Sequence, residues 1–247
     1  MTTIYFFAGT PSAGKSTARR GLEERFGLPA VLTRDNAESI RLLDPSKVSY
    51  EESITATTVK KAIPAVFNDN PHYHLPFLTI DKDLLQDEMA HEGVNWGRIA
   101  NHPLSGDGVW KAYDLLHRSG NYALRAGVSV IMDCPHVTHF TGGRRSKIIH
   151  AITEGTNVNV EVFGFYAPGE VIYDRMVARG TTVEGERDFD KTSSVKKWYE
   201  FVKKEITPLR EGGEFGYFFG DKYTPIDTSL FSADEVLEIV SSKLRLK

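Results

Sequence analysis

Eight consecutive residues, Gly9-Thr10-Pro11-Ser12-Ala13-Gly14-Lys15-Ser16, constrain this chain more than any other feature. They fit the spacing G-x-x-x-x-G-K-[ST], which chance would place in a chain of this length with odds on the order of one in a hundred. The run follows the apolar segment Ile4-Tyr5-Phe6-Phe7-Ala8 and opens a stretch rich in Ala, Arg and Glu. It therefore stands where a strand turns into a helix. Glycines let successive backbone N–H groups turn inward around phosphate oxygens, and the helix start adds the positive end of its dipole. Lys15 supplies a mobile charge for the β- and γ-phosphates, and the Ser16 hydroxyl suits Mg2+. Residues Gly9 to Ser16, with Thr17 just beyond, are expected to hold ATP.

The rest of the chain alternates short apolar runs with amphipathic stretches. Strands are expected at Ile4–Ala8, Pro76–Ile80, Val128–Met132, Val158–Tyr166 and Tyr223–Asp227. Helices are expected at Lys15–Phe26, Leu84–His91, Val109–Ala126, Arg144–Glu154, Glu170–Arg179, Val195–Glu205 and Ala233–Leu244. In the last of these Val236, Leu237, Val240 and Leu244 recur at helical spacing, and Ser232 with Glu235 three residues on reads as a capping box. Strands alternating with helices need crossover connections, hence a mostly parallel sheet covered on both faces. The expected fold class is α/β, a P-loop NTPase-type three-layer sandwich forming one domain over residues 1–247. About fifty residues separate the first helix from the second strand, more than a βα connection needs, so 28–75 reads as an insertion or cap.

Composition narrows the function classes. The formal net charge is −3 and 40% of the 247 residues are hydrophobic, which excludes a mostly disordered chain and gives no global charge for non-specific DNA binding. The single cysteine, Cys134, excludes an internal disulfide framework and a Cys-based zinc site. No apolar stretch is long enough to span a bilayer, and the start Met1-Thr2-Thr3 lacks a charged region followed by an apolar core. A cytoplasmic location without membrane contact is expected.

A phosphate cradle does not separate a kinase from a switch or a motor; the carboxylates and arginines do more. Asp81 and Asp83 follow the second strand, and Asp133 ends the third. Ligands of parallel sheets gather at strand C-terminal ends, and a hydroxyl acceptor needs a carboxylate to take its proton. Asp133 suits Mg2+ or positioning of the acceptor. Arg175 and Arg179 lie one helical turn apart, and Arg187 sits in the polar stretch after them, a candidate lid over 180–193. Arginines there could offset charge on a phosphoryl group in transfer.

In these residues the chain resembles the P-loop kinases that include phage polynucleotide kinase, zeta toxins and chloramphenicol phosphotransferase, over Thr3–Phe26 and Pro76–Leu209. Asp81-Lys82-Asp83-Leu84-Leu85-Gln86 falls on that group's second motif, Ser-Arg-Asp-Asp-hydrophobic-Arg. The resemblance implies a catalytic base role for Asp83 and puts Gln86 where an acceptor-binding arginine is usual. The strand ending in Asp133 with Arg144-Arg145 resembles the third motif, and Arg179-Gly180-Thr181 resembles the polynucleotide kinase lid. Thr33-Arg34-Asp35-Asn36 also resembles the second motif, but no compact crossover joins it to the Val128 strand.

Other signals are weaker. His72, His74, His136 and His139 do not form a zinc motif; His136, just past a strand end, suits the acceptor side. Trp110 and Trp198 sit in amphipathic patterns, which favours core, while Trp96 could stack a base. Arg144, Arg145 and Lys147 could track a nucleic-acid backbone or form a solvated face. The expectation is an ATP- and Mg2+-dependent kinase. Lys15, Asp83, Arg179 and Arg187 are its catalytic residues. The cradle residues and Arg175 bind the nucleotide, and Ser16 and Asp133 the metal. Gln86, Asp133, His136 and Arg144 contact the acceptor. That acceptor is expected to be a nucleic-acid or nucleotide hydroxyl, at a 5′ end or on a hydroxymethyl base as in modified phage DNA. Two alternatives stay open: a sugar, nucleoside or antibiotic acceptor, and a nucleotide-dependent switch or regulatory ATPase.

Overall fold

The computed structural model describes residues 2–28, 77–81, 116–117, 120–121, 123–133, 137–141, 145–178 and 202–246. Their strands form a five-stranded sheet in the order β2-β3-β1-β4-β5, with β1 Thr3–Gly9, β2 Phe77–Asp81, β3 Ser129–Asp133, β4 Asn159–Tyr166 and β5 Tyr223–Asp227. The pairs β2/β3 and β4/β5 run parallel. The helices are α1 Lys15–Phe26, α2 Val137–Thr141, α3 Arg145–Thr153, α4 Gly169–Ala178, α5 Glu214–Phe219 and α6 Ala233–Leu244, and residues 116–117, 120–121, 123–125 and 202–209 are also helical. This is a mostly parallel α/β sandwich, as the alternation of patterns requires.

By packing, the chain divides into two compact units. One comprises Met1–Tyr5, Leu22–Asp133 and Ser146–Val160; the other comprises Phe6–Gly21, Cys134–Arg145 and Glu161–Lys247. In the first, β2 and β3 are buried along their whole lengths and pair in register from Phe77↔Ser129 to Asp81↔Asp133. The Ser129 hydroxyl accepts the Thr3 N–H at 3.0 Å, and the Thr79 hydroxyl donates to the Glu23 carboxylate on α1. In the second unit, Phe6 meets the edge of Phe140 at 5.1 Å, while its neighbour Phe7 packs against Phe163 and Phe165 at 5.4 and 5.1 Å. Successive strand residues point to opposite faces, so a run of aromatic residues forms only where both faces are covered. Each such ring, fully buried, stabilises the fold by about 1.5–3 kcal/mol. Pro225 is tolerated in β5 because that strand is at the sheet edge.

All five expected strands are present, each within a residue or so of its expected bounds, and α1 and α6 match theirs. The helix expected to stop at Glu205 runs on to residue 209. Two helices, α2 and α5, were not expected. Five and six residues are too few to display a period, and their helical form follows from anchoring Phe140 and Phe215 in the core, with ring centroids 5.8 Å apart. The α6 capping box is present: the Ser232 hydroxyl accepts from the Glu235 N–H at 3.3 Å, and the Glu235 carboxylate accepts from the Ser232 N–H at 2.8 Å. Among the described residues no helix is long and apolar enough to cross a membrane.

Several expectations lie outside the described residues: the Leu84–His91 helix, residues 29–75 of the 28–75 insertion, the 180–193 lid, the Thr33-Arg34-Asp35-Asn36 motif, and His72, His74, Cys134, Trp96, Trp110 and Trp198.

Candidate phosphate-binding site

The loop between β1 and α1 lies wholly within the second unit. Gly9 ends the strand against β4, where an added Cβ would collide with the Phe165 carbonyl, so only glycine fits. Ser12 and Gly14 adopt left-handed backbone conformations, with φ of 60° and 94°. For Ser12 that costs energy, and such strain persists only where the surroundings hold it in place. The Ala18 N–H reaches the Gly14 carbonyl at 3.0 Å, which starts α1 directly from the loop.

Lys15 is buried, and its Nζ donates to the carbonyls of Gly9 at 3.0 Å and Thr10 at 2.9 Å. The loop thus wraps its own cation. Pro11, Gly14 and Ser16 are partly exposed, Ala13 is buried and Thr17 is exposed. The hydroxyls of Thr10 and Ser12 are buried and have no hydrogen-bond partner among the described residues. A buried unsatisfied hydroxyl costs about 1–3 kcal/mol, and two in one loop fit an anionic oxygen. The donor set, an ammonium plus hydroxyls at a helix start, fits a nucleotide's phosphate chain. Ser16, a hard oxygen donor in the first turn of α1, fits Mg2+.

Arg175 on α4 closes one side of the loop. Its guanidinium donates to the Thr228 hydroxyl at 2.8 Å, to the Thr228 carbonyl at 2.7 Å and to the Ser12 carbonyl at 3.4 Å. Thr228, just past β5, is itself held by its N–H donating to the Tyr166 carbonyl at 2.8 Å. Arg175 therefore braces the strained Ser12 peptide.

Sequence reasoning missed Glu205. It is 3% exposed on the 202–209 helix, and Oε2 has no hydrogen-bond partner among the described residues. Burial pushes its carboxyl up to about 7, with the nearby Lys15 charge pulling it down. The signal was present: Val202, Glu205, Ile206 and Leu209 are all buried at helical spacing, so a carboxylate occupies a position of the apolar stripe. The Tyr223 hydroxyl donates to the Leu209 carbonyl and ties this helix to β5.

The first unit holds Asp81 and Asp133, both buried, side by side in register at the C-terminal ends of β2 and β3. Asp83, Gln86, His136, Arg144, Arg179 and Arg187 lie outside the described residues. Arg145, beside Arg144, stacks its guanidinium 3.3 Å above the Phe218 ring.

No protein-family profile matches the chain, and no curated protein matches it by sequence. Solved structures do match. A sugar kinase from Janibacter sp. HTCC2649 is similar at 16% identity and a TM-score of 0.51, over 100% of this chain and 96% of that one. A provisionally assigned kinase from Chloroflexus aurantiacus j-10-fl is similar at 16% identity and a TM-score of 0.55, over 98% of this chain and 97% of that one. With the sheet order and the strand–loop–helix cradle, these likenesses define the fold as a P-loop NTPase-type sandwich.

Proposed function

We propose that this protein is an ATP- and Mg2+-dependent kinase that phosphorylates a hydroxyl group of a small molecule, with sugars the first class to test. The observation that carries the kinase reading is the buried Lys15 in a loop that holds Ser12 left-handed and keeps two buried hydroxyl donors. Support for a small acceptor comes from the net charge of −3 and from the sugar kinase of like fold. In this reading Lys15 and the cradle amides would hold the β- and γ-phosphates, and Ser16 and Asp133 would hold the metal, which would supply neutralisation of phosphate charge. Asp83 takes the acceptor proton as its oxygen bonds to the γ-phosphorus; the bond to the β-phosphate oxygen breaks, and ADP leaves. Arg179 and Arg187 offset charge from the lid, and Gln86, His136 and Arg144 contact the acceptor.

A second reading, a nucleic-acid acceptor, is favoured by the polynucleotide-kinase-like residues Asp81-Lys82-Asp83 and Arg179-Gly180-Thr181. Purified protein with γ-labelled ATP and Mg2+ should be offered sugars, nucleosides, 5′-hydroxyl oligonucleotides and hydroxymethylpyrimidine DNA. Label in a sugar or nucleoside supports the proposal. Label in DNA, lost steeply between low and moderate salt, moves the acceptor to nucleic acid. Label only in free phosphate replaces the kinase with a regulatory ATPase. Asp83→Asn should keep ATP affinity within a few fold and remove most transfer; normal transfer would pass the base role to Asp81 or Asp35.

A further inference from the structure

Ser12 and Gly14, both left-handed, rest on the same neighbour. Thr228, the first residue after β5, lays its Cγ2 methyl beside Gly14, where an added Cβ would stand 3.5 Å from it. The Thr228 hydroxyl and carbonyl accept from the Arg175 guanidinium at 2.8 and 2.7 Å, and that guanidinium also donates to the Ser12 carbonyl at 3.4 Å. Thr228 is buried and fixed in turn to β4, its N–H and its hydroxyl both donating to the Tyr166 carbonyl, at 2.8 and 3.2 Å. The turn beyond it is closed by the Asp227 carboxylate, which accepts from the Ser229 N–H at 3.0 Å and the Ser229 hydroxyl at 2.6 Å. All of these residues belong to the second unit.

A residue with a side chain holds left-handed backbone only while its surroundings fix it there. Arginine suits that task, because its planar fork bonds oxygens of two segments at once in a set geometry. Committed to Ser12 on one side and Thr228 on the other, the guanidinium works as a strut between the loop and the end of β5. We infer that Arg175 and Thr228 form a latch that sets the loop for phosphate. Both are positioning residues, acting through Ser12 and Gly14 and not by touching the nucleotide. This rests on the cradle being a nucleotide site. Latched, the loop has its binding shape before a ligand arrives. Unlatched, it spends part of its time in other shapes, and apparent affinity falls by that fraction.

The test is calorimetry of the whole chain with a non-hydrolysable ATP analogue and Mg2+, on the wild type, Arg175→Met, Thr228→Val and the double variant. Methionine keeps an apolar stem and removes every donor; valine keeps the methyl beside Gly14 and removes only the hydroxyl. Arg175→Met should weaken binding about tenfold and Thr228→Val about threefold. The Thr228 hydroxyl reaches the loop through Arg175, so the double variant should lose about tenfold and not about thirtyfold. An arginine that gripped the phosphates directly would act independently of that hydroxyl, so losses that multiply overturn the latch. Wild-type affinity in both single variants also overturns it, since a role in stability alone lowers the folded fraction and leaves the affinity of what is folded unchanged. Should Arg175→Met fail to fold, Thr228→Val carries the test by itself, and wild-type affinity there overturns the latch. Absence of any binding to the wild type, by calorimetry and by thermal shift, overturns the nucleotide reading and this inference with it.

Discussion

The second unit contains two helix N-termini that solve one problem in opposite ways. Every helix start leaves backbone N–H groups without partners and carries partial positive charge. At α6 the chain supplies its own answer: the Ser232 hydroxyl and the Glu235 carboxylate close the box, and Asp234 adds a second acid to the first turn. At α1 the first turn has no acid, begins with Lys15, and is preceded by two buried hydroxyls with no partner among the described residues. A start sealed by its own side chains has nothing left for a ligand. In the proposed function the other is completed from outside, and the strain at Ser12 and the brace from Arg175 are the cost of keeping it so.

The largest test of this contrast removes the cation. Lys15→Ala should lower phosphoryl transfer by about 10³-fold or more while leaving the far-UV spectrum near wild type. Transfer within tenfold of wild type would mean that α1 is no more a ligand site than α6. Next comes the strand end. Gly9→Ala forces a methyl group into the Phe165 carbonyl, and a backbone neighbour cannot turn aside as a side chain can. A loss of about 3 kcal/mol or more in chemical denaturation is expected. A variant as stable as the wild type would show that the loop is not pressed against β4.

Glu205→Gln sharpens the contrast through pH, because the Glu205 and Glu235 carboxyls shift in opposite directions. The Glu205 carboxyl is raised from 4.5 to about 7 by burial, so between these values the native state holds more protons than the unfolded chain. Wild-type stability contributed by this group is full below about 4.5, falls as pH rises, and is gone above about 7, a change of roughly 3 kcal/mol. Glutamine removes that dependence. The stability gap between variant and wild type should therefore widen in favour of glutamine from pH 5 to pH 8, measured by denaturant midpoints. A constant gap would mean that Glu205 is not desolvated.

How much of this could be read from the sequence follows contact distance along the chain. The cradle is eight adjacent residues whose types are dictated by a local backbone shape, and the five strands are apolar runs whose ends are marked by Asp, Gly or turn residues. Both were legible. α2 and α5 were not, because a helix of five or six residues is held by its tertiary anchors, Phe140 and Phe215, and not by a period. Glu205 was missed although the spacing of Val202, Glu205, Ile206 and Leu209 carried the signal, because the depth at which such a stripe is buried is set by the elements that cover it and not by the stripe itself. Arg175 was legible as a cation close to the site, but the Thr228 and Ser12 oxygens that hold it come from two other segments.

The smallest expected effect comes from the sealed start. Ser232→Ala removes the hydroxyl that accepts from the Glu235 N–H, and N-cap losses of this kind cost about 1 kcal/mol. Hydrogen bonds from Ser232 lower the Glu235 carboxyl, so this cap is complete at neutral pH and is lost as Glu235 is protonated in acid, the reverse of the Glu205 trend. The Ser232→Ala deficit should accordingly shrink toward acid pH, as read from thermal midpoints, with nucleotide affinity unchanged throughout. If the substitution instead weakened nucleotide binding by tenfold, the box at α6 would be supporting the cradle, and the two helix starts would have to be treated as one coupled device.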